Sequence, residues 1–182
     1  MSTRLVLLCA GATASARGGG FPDPAEPLDA GGRDKARTCD PGVSRASRCW
    51  TSPSHVARET AAMLGLAPVE EPALRDIGCG DWTGLPFGQI DRQALAGWLA
   101  APEAGTPGGE SMAEVLARVA PWMDGLGEGP ALAITHAAVI RAAIGHALGA
   151  SPAATLGIDV APLSVTVLSR HGRWRLRELR RA

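Results

Sequence analysis

The chain has 182 residues, of which 46% are hydrophobic, enough for one substantial core. The 18 basic and 18 acidic residues give a formal net charge of zero, so nothing in the composition favours nucleic-acid binding. No apolar run approaches the roughly 20 residues of a membrane span. The first apolar segment is also too short for a secretory signal, and we expect a cytoplasmic protein that binds neither membrane nor nucleic acid.

The first predicted strand covers residues 5–8, where four apolar residues end abruptly in small residues and a glycine. Ligand sites in open α/β sheets lie outside the carboxyl ends of such strands. An ordinary strand-to-loop junction has the same appearance. Residues 14–27 are rich in Gly, Pro and small residues and predict a loop. A short helix is predicted within 28–38, with Asp29 as its N-cap.

The middle of the chain begins with a turn at 40–42 and a weak strand at 47–51. Ser52 and Pro53 then open a helix that Gly65 closes. Residues 78–107 are predicted to be an irregular insertion or lid, anchored by Trp82 and Trp98.

The last third predicts four elements. An amphipathic helix starts at residues 109–111, with apolar residues at helical spacing up to Met123. A buried strand at 131–135 ends at His136, followed by an apolar helix to Leu148. Residues 163–179 form a hairpin that turns at His171 and Gly172.

Strands and helices therefore alternate along most of the chain. Such alternation predicts an α/β fold of three layers, with a mostly parallel central sheet and helices on both faces. We expect a single domain over residues 1–182, with the lid or insertion at 78–107. His136 stands where a strand meets the start of a helix, a position suited to binding an anion. A hydrogen-bonded cap histidine would look the same.

Four cysteines stand at positions 9, 39, 49 and 79, and no pair has C-x-x-C spacing. We expect free thiols and no metal or cofactor. Cys9 follows the first strand and could be a nucleophile. The C-x5-R loop of cysteine phosphatases would, however, need an arginine where Ser15 stands.

Six segments, taken in order, resemble the motifs of the histidine phosphatase superfamily, which has the phosphoglycerate mutase-like fold. The family motifs are R-H-G-E-T, L-T-x-x-G-x-x-Q-A, S-P-L-x-R-A-x-x-T-A, L-x-E-x-x-x-G-x-W-x-G, P-G-G-E-S and V-S-H-G-G-V-I-R. The corresponding segments of this chain are residues 9–13, 27–36, 52–61, 74–84, 107–111 and 134–141. The resemblance implies a phosphomonoesterase in which one histidine attacks phosphorus, a second histidine and two arginines bind the phosphoryl oxygens, and an acidic residue protonates the leaving oxygen.

This chain departs from the family pattern at most of these positions. Ala10 stands at the nucleophile position, Cys9 and Val56 stand at the two arginine positions, and Asp76 is one methylene shorter than the family glutamate. His136 matches the second histidine. The remaining residues that we expect to line the substrate site are Cys9, Gly11, Thr13, Arg17, Ser52, Arg58 and Ala137, of which Arg17 or Arg58 would supply the missing charge.

Three interpretations remain open. In the first, the chain derives from a phosphatase that acts on a small phosphorylated metabolite. It is inactive because its nucleophilic histidine has been lost, either by design or in nature. Alternatively, it is a natural pseudoenzyme that binds an anionic ligand or a protein partner. In the third interpretation the pocket is reused, with His136 and Asp76 performing acid–base chemistry on a non-phosphorylated substrate. A homodimer is compatible with all three.

Overall fold

The computed structural model describes residues 2–43 and 48–181. Its single mixed sheet contains β1 Thr3–Cys9, β2 Arg48–Thr51, β3 Val69–Glu70, β4 Gly129–Thr135, β5 Val165–His171 and β6 Arg173–Arg180. The strand order is β3-β2-β4-β1-β5-β6. The first four of these are mutually parallel, whereas β5 runs antiparallel to β1 and β6 antiparallel to β5. The predicted α/β fold with a mostly parallel sheet is therefore confirmed.

Helices cover both faces of the sheet. They are α1 Ala14–Gly18, α2 Ala30–Thr38, α3 His55–Met63, α4 Arg92–Ala100, α5 Met112–Asp124, α6 Ala137–Leu148 and α7 Pro152–Thr155. On one face α5 and α6 pack against Leu5 and Leu7, and on the other α2 and α3 pack against Val6 and Leu8. All four of these β1 side chains are fully buried. A strand buried on both faces must be apolar throughout, which explains the unbroken apolar run near the start of the sequence.

Several helix ends follow the capping rules. Asp29 caps α2 as predicted, because its side chain accepts from the Gly32 N–H. The amphipathic helix is α5, which begins behind a capping box formed by Ser111 and Glu114. In contrast, Ser52 does not cap α3 as the sequence suggested. The cap is Ser54, two residues later, and Ser52 remains extended after β2.

Two predictions of irregular structure were wrong in part. The loop expected at 14–27 contains the short helix α1, which Thr13 caps. The insertion at 78–107 contains α4, which Asp91 caps through two backbone N–H groups. The strand expected to start at Ser47 begins at Arg48 in the described part, and Ser47 lies outside it.

The segment 78–107 has its own small hydrophobic cluster. Phe21, Trp82 and Ile90 are buried there, and Trp98 packs against them. The Phe21 ring lies 5.2 Å from that of Trp82 and 5.0 Å from that of Trp98, centroid to centroid. Both tryptophans thus anchor the segment, and its role as a lid stays a prediction. Within the described residues, no helix has both the length and the apolar character needed to cross a bilayer.

Candidate functional site

The candidate site lies where β1 and β4 end side by side. Cys9 pairs with Thr135 in the parallel register of these strands, so the loops that follow them leave the sheet at the same edge. A cavity of about 760 Å³ opens there. The residues predicted for the site that line it are Cys9, Ala10, Gly11, Thr13, Asp76, His136 and Ala137.

His136 has polar neighbours at both ring nitrogens, hydrogen-bond partners at Nε2 and a carboxylate at ion-pair distance from Nδ1. Its side chain is buried, and its Nδ1 lies 3.3 Å from Oδ2 of Asp76. Its Nε2 lies 2.9 Å from the Oγ atoms of both Ser54 and Ser52. A carboxylate only accepts, so with neutral imidazole the proton sits on Nδ1 and faces Asp76. Nε2 is then free to accept a proton from a serine hydroxyl.

The Asp76 segment is fixed by Arg118 and Glu110. Arg118 donates to the carbonyl oxygens of Ala73, at 2.6 Å, and Asp76, at 3.1 Å. Glu110 accepts from the Gly78 N–H at 2.8 Å and from Arg118. Burial of Glu110 tends to raise its pKa, but the hydrogen bonds from Arg118 and Gly78 outweigh it and lower that pKa. Asp76 therefore projects from a backbone that is tied down on both sides.

Cys9 and Ala10 form the end of β1 at the base of the cavity. Burial, followed by the negative charge of Asp76, raises the pKa of the Cys9 thiol to about 12. Cys9 is consequently a neutral thiol near pH 7 and a poor nucleophile. The Ala10 N–H donates to the Thr135 carbonyl at 2.7 Å, and its buried methyl group faces the cavity region where the resemblance expects an imidazole.

The loop after β1 is held by packing and by hydrogen bonds. The Gly11 N–H donates to Oγ1 of Thr60 at 3.1 Å. A Cβ at Gly11 would press into the buried Leu28 side chain, so this position requires glycine. The Thr13 hydroxyl accepts from the Ala16 N–H and caps α1. These contacts hold the loop in place. The Thr13 hydroxyl therefore has a structural role as a helix cap.

The structure does not bring Arg17 and Arg58 to the cavity. Arg17 forms an ion pair with Asp29, and Arg58 pairs with Glu70 at 3.2 Å on an exposed surface. Neither residue lines the cavity. Each guanidinium group is drawn to a nearby carboxylate within its own reach, so neither replaces the missing phosphate-binding arginines.

Besides the predicted Asp76, charge in the cavity comes from residues that the sequence did not single out. Asp23, Glu26 and Asp76 contribute carboxylates, and Arg75 and Arg141 contribute guanidinium groups. Arg75 is already paired with Glu110 at 2.5 Å. Arg141 donates through Nε to the Ile158 carbonyl at 2.9 Å and forms no ion pair within the described part of the chain. The three carboxylates thus outnumber the two guanidinium groups that line the cavity.

Sequence reasoning also missed Ser54, which lines the cavity beside His136. Ser52, which was predicted to bind substrate, is fully buried and touches His136 from behind the cavity wall. One signal could have identified Ser54, because it replaces the leucine of the S-P-L motif with a hydroxyl. Among residues 2–43 and 48–181, no cluster of three or more His, Cys, Asp or Glu side chains could hold a metal ion.

The sequence profile described as Histidine phosphatase superfamily (branch 1) matches residues 5–181, so this chain belongs to that superfamily. Solved structures agree. A mycobacterial glucosyl-3-phosphoglycerate phosphatase is 27% identical over 100% of both chains, with a TM-score of 0.87. A protein named mycobacterial hydrolase 1 is 28% identical over 100% of both chains, with a TM-score of 0.88. Phosphoglycerate mutase from Thermus thermophilus is 27% identical over 98% of this chain and 99% of that one, with a TM-score of 0.77. No curated protein matches the sequence significantly.

Proposed function

We propose that this member of the histidine phosphatase superfamily does not use a phosphohistidine. In this proposal, His136 and Asp76 act as a general acid–base pair on a small, non-phosphorylated molecule bound in the 760 Å³ cavity. The observation that carries the proposal is the orientation of His136. Its Nδ1 faces the Asp76 carboxylate at 3.3 Å, and its Nε2 faces a hydroxyl of the cavity wall at 2.9 Å.

Phosphoryl transfer through the enzyme requires a nucleophile in line with the leaving group and cations around the phosphoryl oxygens. Ala10 has no lone pair. Cys9 stands at an arginine position as a neutral thiol, and Val56 contributes an apolar side chain at the other. The family's two arginines therefore have no equivalent at their own positions, and Arg17 and Arg58 are paired elsewhere.

The charge distribution also disfavours a phosphate dianion. Three carboxylates line the cavity against two guanidinium groups, and one of these, Arg75, is held by the Glu110 carboxylate that also binds Arg118. Like charges at close range are costly where water is partly excluded. An uncharged substrate avoids this repulsion, and the predominantly apolar wall of the cavity suits it. The names of two of these relatives refer to phosphorylated compounds, but this chain lacks the charge to bind them in the same way.

The experiment is to restore the missing nucleophile with Ala10→His and to assay p-nitrophenyl phosphate hydrolysis. We expect no hydrolysis above background by either the unchanged protein or the variant, and no phosphohistidine in either. The double variant with His136→Ala defines the background. Turnover by Ala10→His that the double variant lacks would overturn the proposal, because the pocket would then still be a phosphatase site. A histidine codon at position 10 in the source DNA would contradict it as well.

A second candidate function, binding of a small anion without turnover, is favoured by Arg141. This guanidinium lines the cavity and makes no ion pair with a described residue. It lies one turn into α6, whose N-terminal N–H groups also attract anions. Calorimetry with inorganic phosphate and sugar phosphates tests this function. Millimolar or tighter binding that Arg141→Gln abolishes supports it, and absence of binding excludes it.

A further inference from the structure

Ser52, Ser54, His136 and Asp76 lie in one row beside the cavity. The Ser52 hydroxyl donates to Oγ of Ser54 at 3.2 Å. The Oγ atoms of both serines lie 2.9 Å from Nε2 of His136, and Nδ1 lies 3.3 Å from Asp76. A serine hydroxyl has one proton to donate. Because the Ser52 hydroxyl donates to Ser54, we assign the proton between Ser54 and Nε2 to the Ser54 hydroxyl.

A substrate in the cavity can reach Ser54 but not Ser52. Ser54 lines the cavity and retains 5% exposure, whereas Ser52 has 0% exposure and is not part of the lining. Of the two hydroxyls beside His136, the one that a bound substrate can reach is therefore that of Ser54. An activated serine needs this arrangement of a reachable hydroxyl, a base within hydrogen-bond distance and a third group that orients the base.

Backbone N–H groups for a developing oxyanion are present at the same cavity. Ala137 and Ala138, in the first turn of the 12-residue helix α6, both line it. The His136 side chain occupies the N-cap position of this helix without making a capping hydrogen bond. N–H groups in a first turn have no partner within the helix, so they are available to an acceptor in the cavity.

A second cavity extends the first and indicates the class of substrate. It has a volume of about 230 Å³ and shares Cys79, Ala138 and Arg141 with the larger cavity. Its lining includes the aromatic side chains of Phe87 and Trp98. An apolar cavity of about 150 Å³ is large enough for benzene. By comparison with that cavity, the side cavity has room for an apolar chain of roughly four to six carbons.

From these observations, we propose that Asp76, His136 and Ser54 form a catalytic triad that hydrolyses carboxylic esters with a short apolar acyl chain. This inference rests on the proposed function above, to which it adds the nucleophile and the substrate class. It needs neither metal nor redox cofactor, because serine, imidazole, carboxylate and water supply every group that reacts.

The reaction balances in two steps. Ser54 Oγ bonds to the acyl carbon while its proton passes to Nε2 of His136. The bond from the acyl carbon to the alkoxy oxygen then breaks, and the departing alcohol takes that proton. Water next gives a proton to Nε2 and attacks the acyl carbon. The Ser54 ester bond breaks, the proton returns to Oγ, and a carboxylic acid leaves. Asp76 orients His136 and stabilises its charged form throughout.

The kinetic experiment measures p-nitrophenyl butyrate hydrolysis by the full chain. We expect Ser54→Ala and His136→Ala each to lower kcat by at least about 10³-fold, and Asp76→Asn to lower it by a similar factor. The matched control is Ser151→Ala, which removes the N-cap hydroxyl of another helix, α7, outside the cavity lining and should retain kcat within about tenfold. A wild-type rate in Ser54→Ala, or no hydrolysis by the unchanged protein, would overturn the triad.

Labelling gives a result that does not depend on any variant. Ser54 caps α3, so Ser54→Ala also removes a helix cap, and its melting temperature must be measured alongside its rate. The unchanged protein is therefore treated with an alkyl fluorophosphonate, and the adduct is mapped by peptide mass spectrometry. We expect a single adduct on Ser54. An adduct on Ser52, on another residue or on none would contradict the assignment.

The two proposals can fail separately. If ester hydrolysis requires His136 and Asp76 but survives in Ser54→Ala, the acid–base pair stands and the serine nucleophile is wrong. If Ala10→His restores p-nitrophenyl phosphate hydrolysis, the proposed function is wrong whatever the esterase result.

Discussion

The Arg118 guanidinium and the Glu110 carboxylate form a two-pronged ion pair, with Nε at 3.0 Å from Oε1 and Nη2 at 3.1 Å from Oε2. Both side chains are largely shielded from solvent, at 13% and 17% exposure. The same guanidinium binds the backbone carbonyl of Asp76. The pair thus connects α5 to the carboxylate that faces His136.

The first prediction concerns this connection. Arg118→Met keeps an unbranched stem close to that of arginine but removes the hydrogen bonds to Glu110, Ala73 and Asp76. We expect a loss of about 1–3 kcal/mol in the free energy of unfolding, because charged groups lose partners away from solvent. Urea denaturation measures it. The control is Arg37→Met, which breaks the exposed pair with Asp34 and should cost under about 1 kcal/mol. Equal losses in the two variants would contradict the prediction.

The second prediction concerns acid stability. The pKa of Glu110 is lowered in the folded protein, against the effect of burial, by hydrogen bonds from Arg118 and Gly78. A glutamate in the unfolded chain titrates near about 4.3. The stability that Glu110 contributes is therefore complete above about pH 4.3 and is lost as the pH falls through its lower folded pKa.

Glu110→Gln should accordingly be less stable than the unchanged protein at pH 7, and the difference should shrink towards pH 2.5. Urea midpoints measured across this range test it. Glu128→Gln is the control, because the exposed Glu128 carboxylate makes no ion pair with any described residue. A stability difference that does not change with pH would show that the Glu110 charge is not responsible.

The third prediction compares two glycines in the segment 78–107. Gly80 has a φ of 48°, and a Cβ there would collide with the backbone of Pro107 and Gly108 at the other end of the segment. Gly80→Ala should lower the free energy of unfolding by about 3 kcal/mol or more. Gly97 lies within α4 with open space around it, so Gly97→Ala should stabilise by up to about 1 kcal/mol. Thermal melting distinguishes the two, and a neutral Gly80→Ala would exclude the close approach of the two ends.

The fourth prediction concerns thiol reactivity. Burial and the charge of Asp76 raise the pKa of Cys9 to about 12, so almost none of it is thiolate at pH 8. Cys39 is only half-buried. Iodoacetamide should modify Cys39 of the folded protein well before Cys9, and Cys9 should react only after denaturation. Peptide mass spectrometry over a time course measures both. Alkylation of native Cys9 at the rate of Cys39 would contradict the prediction and make Cys9 a candidate nucleophile again.

The sequence alone predicted most of the layered architecture and a large part of the site. Unbroken apolar residues at 5–8 and 131–134 required strands buried on both faces, and capping residues marked where α2 and α5 begin. These signals are local, because burial and backbone hydrogen bonding act over a few neighbouring residues. They also placed Ala10 and His136 at the ends of two strands, and the pairing of β1 with β4 in the folded protein brought these ends together.

Other features depended on which residues meet after the chain folds. The sequence could not show that Arg17 and Arg58 would pair with Asp29 and Glu70, since a guanidinium on a flexible stem binds whichever carboxylate comes within reach. Nor could it show that the Ser54 hydroxyl lies against His136, 82 residues further along the chain. That contact arises because β2 and β4 are neighbours in the sheet and deliver both side chains to the same cavity. The sequence determined the scaffold and the absent histidine, and the tertiary structure alone placed a hydroxyl beside the one that remains.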